Sequence, residues 1–353
     1  MGIYNVSSLT MSTKMMDYIE FNKRKLDDLV TSTGTGKHAD MANTLGASLG
    51  NDVSMHREFL YLDALKTSNS QVKMRVDVMD TSYSAMRKGA ERFRADLVGL
   101  RDTKGTLKSM EKLANTELDS LLSQLNTSVG GISVFSGLNV NESPMRGFDE
   151  KVGTPAKSNR DLVNEAFDAH FGFPVTDPRV ADITSAEMDT FLKGDFANLF
   201  SEANWKANWS TATDDLMTST VSEGVSVDNT ASANAKSYRD IASSYVMITA
   251  FGNIGLKSDV EKTIIDNATE KLHTGTSLII KDQAQNGANV KRVNDMSTDL
   301  KAKMDVLNKR INSIENVSME QIALELNNVQ TQLQANYSVT SRLNQLSILN
   351  YLR

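Results

Sequence analysis

Apolar side chains recur at helical spacing over long stretches near both ends of this 353-residue chain. Val72, Val76, Met79, Tyr83, Met86, Ala90, Phe93, Leu97 and Leu100 alternate steps of four and three, and Val290, Val293, Ser297, Leu300, Met304, Leu307, Ile311 and Ile314 do the same. Such spacing lays one apolar stripe along each helix, and a stripe needs a partner to exclude water. At about 1.5 Å per residue the stripes run roughly 43 and 37 Å, so the two are expected to pair side by side. Met11, Met15, Tyr18, Asn22, Leu26 and Leu29 predict an earlier helix, broken by the hydroxyl- and glycine-rich residues 31–36. After a turn at 102–105, Leu107, Met110, Ala114, Leu118, Leu121 and Leu125 predict another. Residues 130–137, Gly-Gly-Ile-Ser-Val-Phe-Ser-Gly, read as a short strand set off by glycines, half of a hairpin.

The middle of the chain has a different texture. All four prolines lie between Pro144 and Pro178, residues 144–200 hold seven of the twelve phenylalanines, and Trp205 and Trp209 follow. Clustered aromatics and turn formers predict a compact globular unit, with residues 222–228 as a strand leading out of it. Helical pattern resumes near Asn234. Ser258-Asp259-Val260-Glu261 and Ser318-Met319-Glu320-Gln321 both match a capping box, with Val317 and Ile322 placed as a hydrophobic staple for the second. Asn286-Gly287 predicts a break between them. The last helix carries Ile322, Leu326, Val329, Leu333, Val339, Leu343 and Leu346, and beyond Glu325 only Arg342 and Arg353 are charged. A helix so poor in charge suits packing against other chains better than open solvent.

The expected fold class is mainly α: a long antiparallel helical rod formed by both termini, coiled coil plus helix bundle with a short β-hairpin, and an inserted small α+β middle domain. The divisions fall at 1–44 plus 316–353 for a terminal coiled-coil assembly domain, 45–142 plus 229–315 for a helical domain with the hairpin, and 143–228 for a surface-exposed middle domain.

Composition removes several classes of function. The formal net charge of −6 argues against a general nucleic-acid binder. No run of eighteen apolar residues is present, so no membrane partner is expected. The absence of cysteine excludes disulfides and thiolate metal sites. His38, His56, His170 and His273 are scattered without a His-x-x-x-His pair, so neither a metal nor a cofactor is expected. Gly34-Thr35-Gly36-Lys37 lacks the spacing of a phosphate loop, and the methionines at stripe positions, Met79, Met86 and Met304, read as core fillers. No nucleophile–base or carboxylate pair stands out, so the chain is not read as an enzyme.

Three segments carry a resemblance. Residues 326–335, Leu-Asn-Asn-Val-Gln-Thr-Gln-Leu-Gln-Ala, and 342–352, Arg-Leu-Asn-Gln-Leu-Ser-Ile-Leu-Asn-Tyr-Leu, resemble the C-terminus of the flagellin superfamily, most of all the hook-associated protein 3 group of hook–filament junction proteins. Residues 29–37, Leu-Val-Thr-Ser-Thr-Gly-Thr-Gly-Lys, are similar to the family's N-terminal turn, and 131–137 to the strand that follows its second helix. Residues 37–43, Lys-His-Ala-Asp-Met-Ala-Asn, depart from the family's basic-Ile-Asn pattern. The resemblance covers about 1–140 and 235–353 and leaves the middle aside.

It implies a structural part of the bacterial flagellum, a junction adaptor connecting hook to filament by helical self-assembly. It further implies export through the type III apparatus without a cleaved signal peptide, and a secreted location. Implied partners are hook-associated protein 1 on the hook side, flagellin on the filament side, its own copies in a helical ring, and an export chaperone. A filament flagellin is the second reading, and a soluble coiled-coil regulatory protein is one of another class. The expected assembly interface comprises Met15, Leu26, Leu29, Ile322, Leu326, Val329, Leu333, Leu343, Leu346 and Leu349.

Overall fold

The computed structural model describes residues 8–101, 103 and 106–351. It is 74% helical, with long helices packed against one another and two small antiparallel hairpins. The helices are α1 (Ser8–Thr35), α2 (Met41–Leu45), α3 (Leu49–Arg101), α4 (Lys108–Leu125), α5 (Asn159–Phe171), α6 (Ser185–Phe191), α7 (Ala197–Leu199), α8 (Glu202–Asn204), α9 (Lys236–Phe251), α10 (Ser258–Glu315) and α11 (Met319–Tyr351). Strands β1 (Ser128–Val129) and β2 (Ile132–Ser133) form one hairpin, β3 (Thr218–Ser222) and β4 (Val225–Asp228) the other. The chain forms two compact units, Met1–Ala64 with Lys301–Arg353, and Leu65–Leu300.

In the 65–300 unit the α3 stripe is buried from Val72 to Leu97, with Leu100 half-buried, as its spacing predicts. Its partner is different from the one expected. Residues Val76 to Leu97 share a core with Leu107–Leu125 of the α4 region, with α9, and with Val260, Ile264, Ile265, Ala268, Leu272 and Ile279 in the first half of α10. Val72 meets Val293, together with Val221 and Val227 of the second hairpin. Two polar contacts fix this antiparallel register: Asn286 Nδ2 donates to the Val76 carbonyl at 2.8 Å, and Gln283 Nε2 to Ser84 Oγ at 2.9 Å. The two stripes are therefore displaced along each other, because α10 begins 32 residues before Val290 and its early turns cover α3 first.

The same contacts remove the break expected at Asn286-Gly287. The Asn286 amide is buried and spent on the α3 backbone, so it does not compete with its own helix, and α10 runs unbroken for 58 residues. The expected capping box at Ser258 also differs. The Glu261 amide bonds the Lys257 carbonyl, which makes Ser258 the first helical residue, while the Glu261 carboxylate accepts from the Leu107 backbone.

α9 is buried on nearly every side, from Ser237 through Thr249. A helix sealed nearly all round is least costly when its polar side chains find partners, and several here do. Ser243 Oγ donates to Asp240 O at 2.8 Å and Ser244 Oγ to Ala268 O at 2.9 Å. Phe251 at its end touches Phe167, Phe191 and Phe196, with ring centroids 5.6, 5.7 and 5.7 Å away, so the aromatic cluster of 143–228 packs on this helix. Trp205 Nε1 adds a bond of 3.1 Å to Ala233 O.

Both hairpins refine the strand expectations. Gly130 and Gly131 have φ of +61° and +80° and form the two-residue turn itself, since a primed turn needs both central residues left-handed. Residues 222–228 hold the end of β3, a turn and β4 rather than one strand. β3 has no signature in the sequence, because Thr-Ser-Thr-Val-Ser has a single apolar residue and shows no alternation. The expected turn at 102–105 lies mostly outside the described residues.

Candidate assembly interface

The candidate surface starts from α1, which outruns its predicted end. Residues 31–35 continue the helix because their hydroxyls bond their own backbone: Thr33 Oγ1 donates to Leu29 O at 2.7 Å and Thr35 Oγ1 to Thr31 O at 2.9 Å. Gly36, at φ +71°, then ends it. α11 begins where Ser318 Oγ accepts from the Gln321 amide at 3.4 Å, as the second capping pattern predicts.

The two helices lie antiparallel. Leu29, Val329 and Leu333 are buried together, with Ile19, Leu26, Ile322 and Leu326 partly buried against them. Lys25 pairs with Glu325 at 3.2 Å, both half-exposed, so this ion pair adds little more than register. Further along, Asp17, Tyr18, Phe21 and Asn22 face Gln332, Ala335 and Asn336 across an open groove. The structure thus brings six of the ten expected interface residues into one seam. Met15 and Leu343 are half-buried, and the side chains of Leu346 and Leu349 fall outside the described residues.

Further apolar side chains of the pair remain in water. On α1, Met16, Tyr18, Phe21 and Val30 are more than half exposed, and Met11 nearly so. On α11, Leu324 is 65% exposed, with Met319, Tyr337 and Val339 alongside. Exposed apolar side chains scattered singly mean little, but here they recur along both members of one helix pair.

Sequence reasoning missed how the seam is tied off. Lys37 and Asn316 form an antiparallel bridge in which His38 N donates to Glu315 O and Val317 N to Gly36 O, each at 3.0 Å. The Glu315 side chain is buried between Lys37 Nζ, 2.6 Å from Oε2, and His56 Nε2, 2.7 Å from Oε1. Burial pushes its carboxyl up, but the Lys37 and His56 hydrogen bonds outweigh that and hold it below the usual range. Buried Asp52 lies one turn before His56, its Oδ2 4.0 Å from His56 Nε2. The Asp-x-x-x-His spacing was visible in the sequence; Glu315, over 250 residues away, was not.

Comparison with known proteins agrees with this architecture. Residues 6–140 match the bacterial flagellin N-terminal helical region and 263–352 the bacterial flagellin C-terminal helical region. The chain belongs to the flagellin superfamily. No curated protein matches it. Among solved structures it is similar to a Vibrio parahaemolyticus protein described as flagellar hook-associated. The TM-score is 0.51 at 9% identity, over 77% of this chain and 99% of that one, a likeness of fold alone. The family is structural, so this flagellin-superfamily chain is a component of the flagellum. Among the described residues no helix is long and apolar enough to cross a membrane.

Proposed function

We propose that this protein is a junction adaptor between hook and filament, assembling through α1 and α11 with its own copies and with neighbouring axial proteins. The observation that carries the assembly reading is the set of exposed apolar side chains around these two helices: one face of each closes the seam at Leu29, Val329 and Leu333, while Met16, Phe21, Leu324 and others stay in water. On α11 neighbouring subunits can cover Tyr337 and Val339 with little buried charge, because the helix is uncharged between Glu325 and Arg342. The choice of junction protein over flagellin is supported by the residues 342–352 and by a fold shared with the Vibrio hook-associated protein. In this reading residues 1–44 plus 316–353 form the assembly domain, 45–142 plus 229–315 the surrounding wall, and 143–228 the outer surface. The subunit is exported unfolded with the help of a chaperone, meets hook-associated protein 1 on one side and flagellin on the other, and performs no catalysis.

Deletion of its gene tests the proposal. Electron microscopy should show assembled hooks without filaments, with flagellin released into the medium. Full-length filaments firmly attached to hooks would refute the junction role. Loss of filaments with no flagellin released would instead favour the filament subunit.

A further inference from the structure

Asp52, His56 and Glu315 each point one ligand atom into a common space, all three atoms lying within 4.8 Å of one another. We propose that these three side chains form a Zn²⁺ site that clasps the start of α3 to the end of α10 beside the Lys37–Asn316 bridge. One imidazole and two carboxylates make a donor set that suits zinc. Tetrahedral zinc with bonds near 2.1 Å needs its ligand atoms about 3.4 Å apart. The observed 2.7 Å between His56 Nε2 and Glu315 Oε1 and 4.0 Å between His56 Nε2 and Asp52 Oδ2 straddle that value. Each needs a shift of well under 1 Å, and the Asp52–Glu315 separation, within 4.8 Å, closes by at most about 1.4 Å.

The independent observation is Asp52 itself. Its side chain is only 7% exposed, and Oδ1 is buried without a hydrogen-bond partner. Burying a carboxylate in that condition is costly, so it calls for a cation. A proton on His56 does not meet the need. Its Nε2 is already given to Glu315 Oε1, and Asp52 stays 4.0 Å away. Lys37 does not meet it either, since its ammonium binds the far oxygen of Glu315. An ion between the three groups serves both carboxylates at once. The half-exposed edge of His56 offers the way in.

Lys37 supplies the sharpest test, because it competes for Glu315. Full-length protein stripped with a chelator should bind one equivalent of Zn²⁺ by calorimetry. His56→Ala and Asp52→Asn should each weaken binding by roughly tenfold or more, and His38→Ala should not. Lys37→Gln, which removes a surface cation and frees Glu315, should tighten it. Loss of the ion pair as a purely structural element would predict the opposite sign. X-ray absorption of the zinc-loaded wild type needs no variant to fold and should show one imidazole with oxygen ligands. Absence of binding, binding unchanged in His56→Ala, weaker binding in Lys37→Gln, or two or more imidazoles on the metal would each overturn the site.

Discussion

Replacing Leu29 with alanine probes the α1–α11 seam at its centre. The change removes three carbon atoms from a buried core that, among the described residues, consists of Leu29, Val329 and Leu333. At about 0.8 kcal/mol per buried carbon the transfer loss is about 2.4 kcal/mol. A rigid cavity would push the cost toward the upper part of the range of about 2–5 kcal/mol for such truncations. Here the flanking Ile19, Leu26, Ile322 and Leu326 are only partly buried and free to close in, so the loss should stay near about 2–3 kcal/mol. Since about 1.4 kcal/mol is a factor of ten, the pair should open about fifty times more often. Hydrogen exchange read by mass spectrometry on the monomer measures this directly. Peptides from α1 and α11 should exchange about fifty-fold faster, while α9, whose core lies within the 65–300 unit, should keep its protection. Equal acceleration in α9, or none in α1 and α11, would show that the seam is not a local cooperative element.

Two further outcomes test the other unit. Gly137 has φ +65°, and a Cβ there would stand 2.4 Å from both the carbonyl and the hydroxyl of Thr213, so Gly137→Ala should cost more than the ~1–2 kcal/mol of left-handed strain alone. Thermal unfolding of the 65–300 unit at an unchanged midpoint would contradict this close approach. Burial raises the Asp282 carboxyl above its ordinary range, against the Ser237 hydroxyl and Lys281, which lower it. The folded state therefore holds this proton more readily than the unfolded one, and stability from this group falls as pH rises through the raised pKa. Asp282→Asn keeps an acceptor for Ser237 Oγ, now 3.0 Å away, and should raise the unfolding midpoint at neutral pH. The gain should shrink on acidification through the carboxylate range; a gain that grows instead would reverse the argument.

Helices were legible in the sequence wherever burial falls on one stripe. Val72 to Leu97 and Leu107 to Leu125 are buried where their spacing puts them, with Met110 half-buried, because a 3.6-residue period and one buried face determine each other. Ser318 likewise declared the start of α11 through a local bond. What no local pattern records is partnership. Asn286 looks like a helix breaker until Val76 is beside it, and Glu261 looks like a cap until Leu107 arrives to take its carboxylate. The displaced register of α3 on α10, the enclosure of α9, and the meeting of Asp52, His56 and Glu315 all depend on contacts between residues far apart in the chain. Periodicity says that a face must be covered and leaves open by what. That is set by the summed packing and hydrogen bonding of the whole unit, which only the tertiary structure decides.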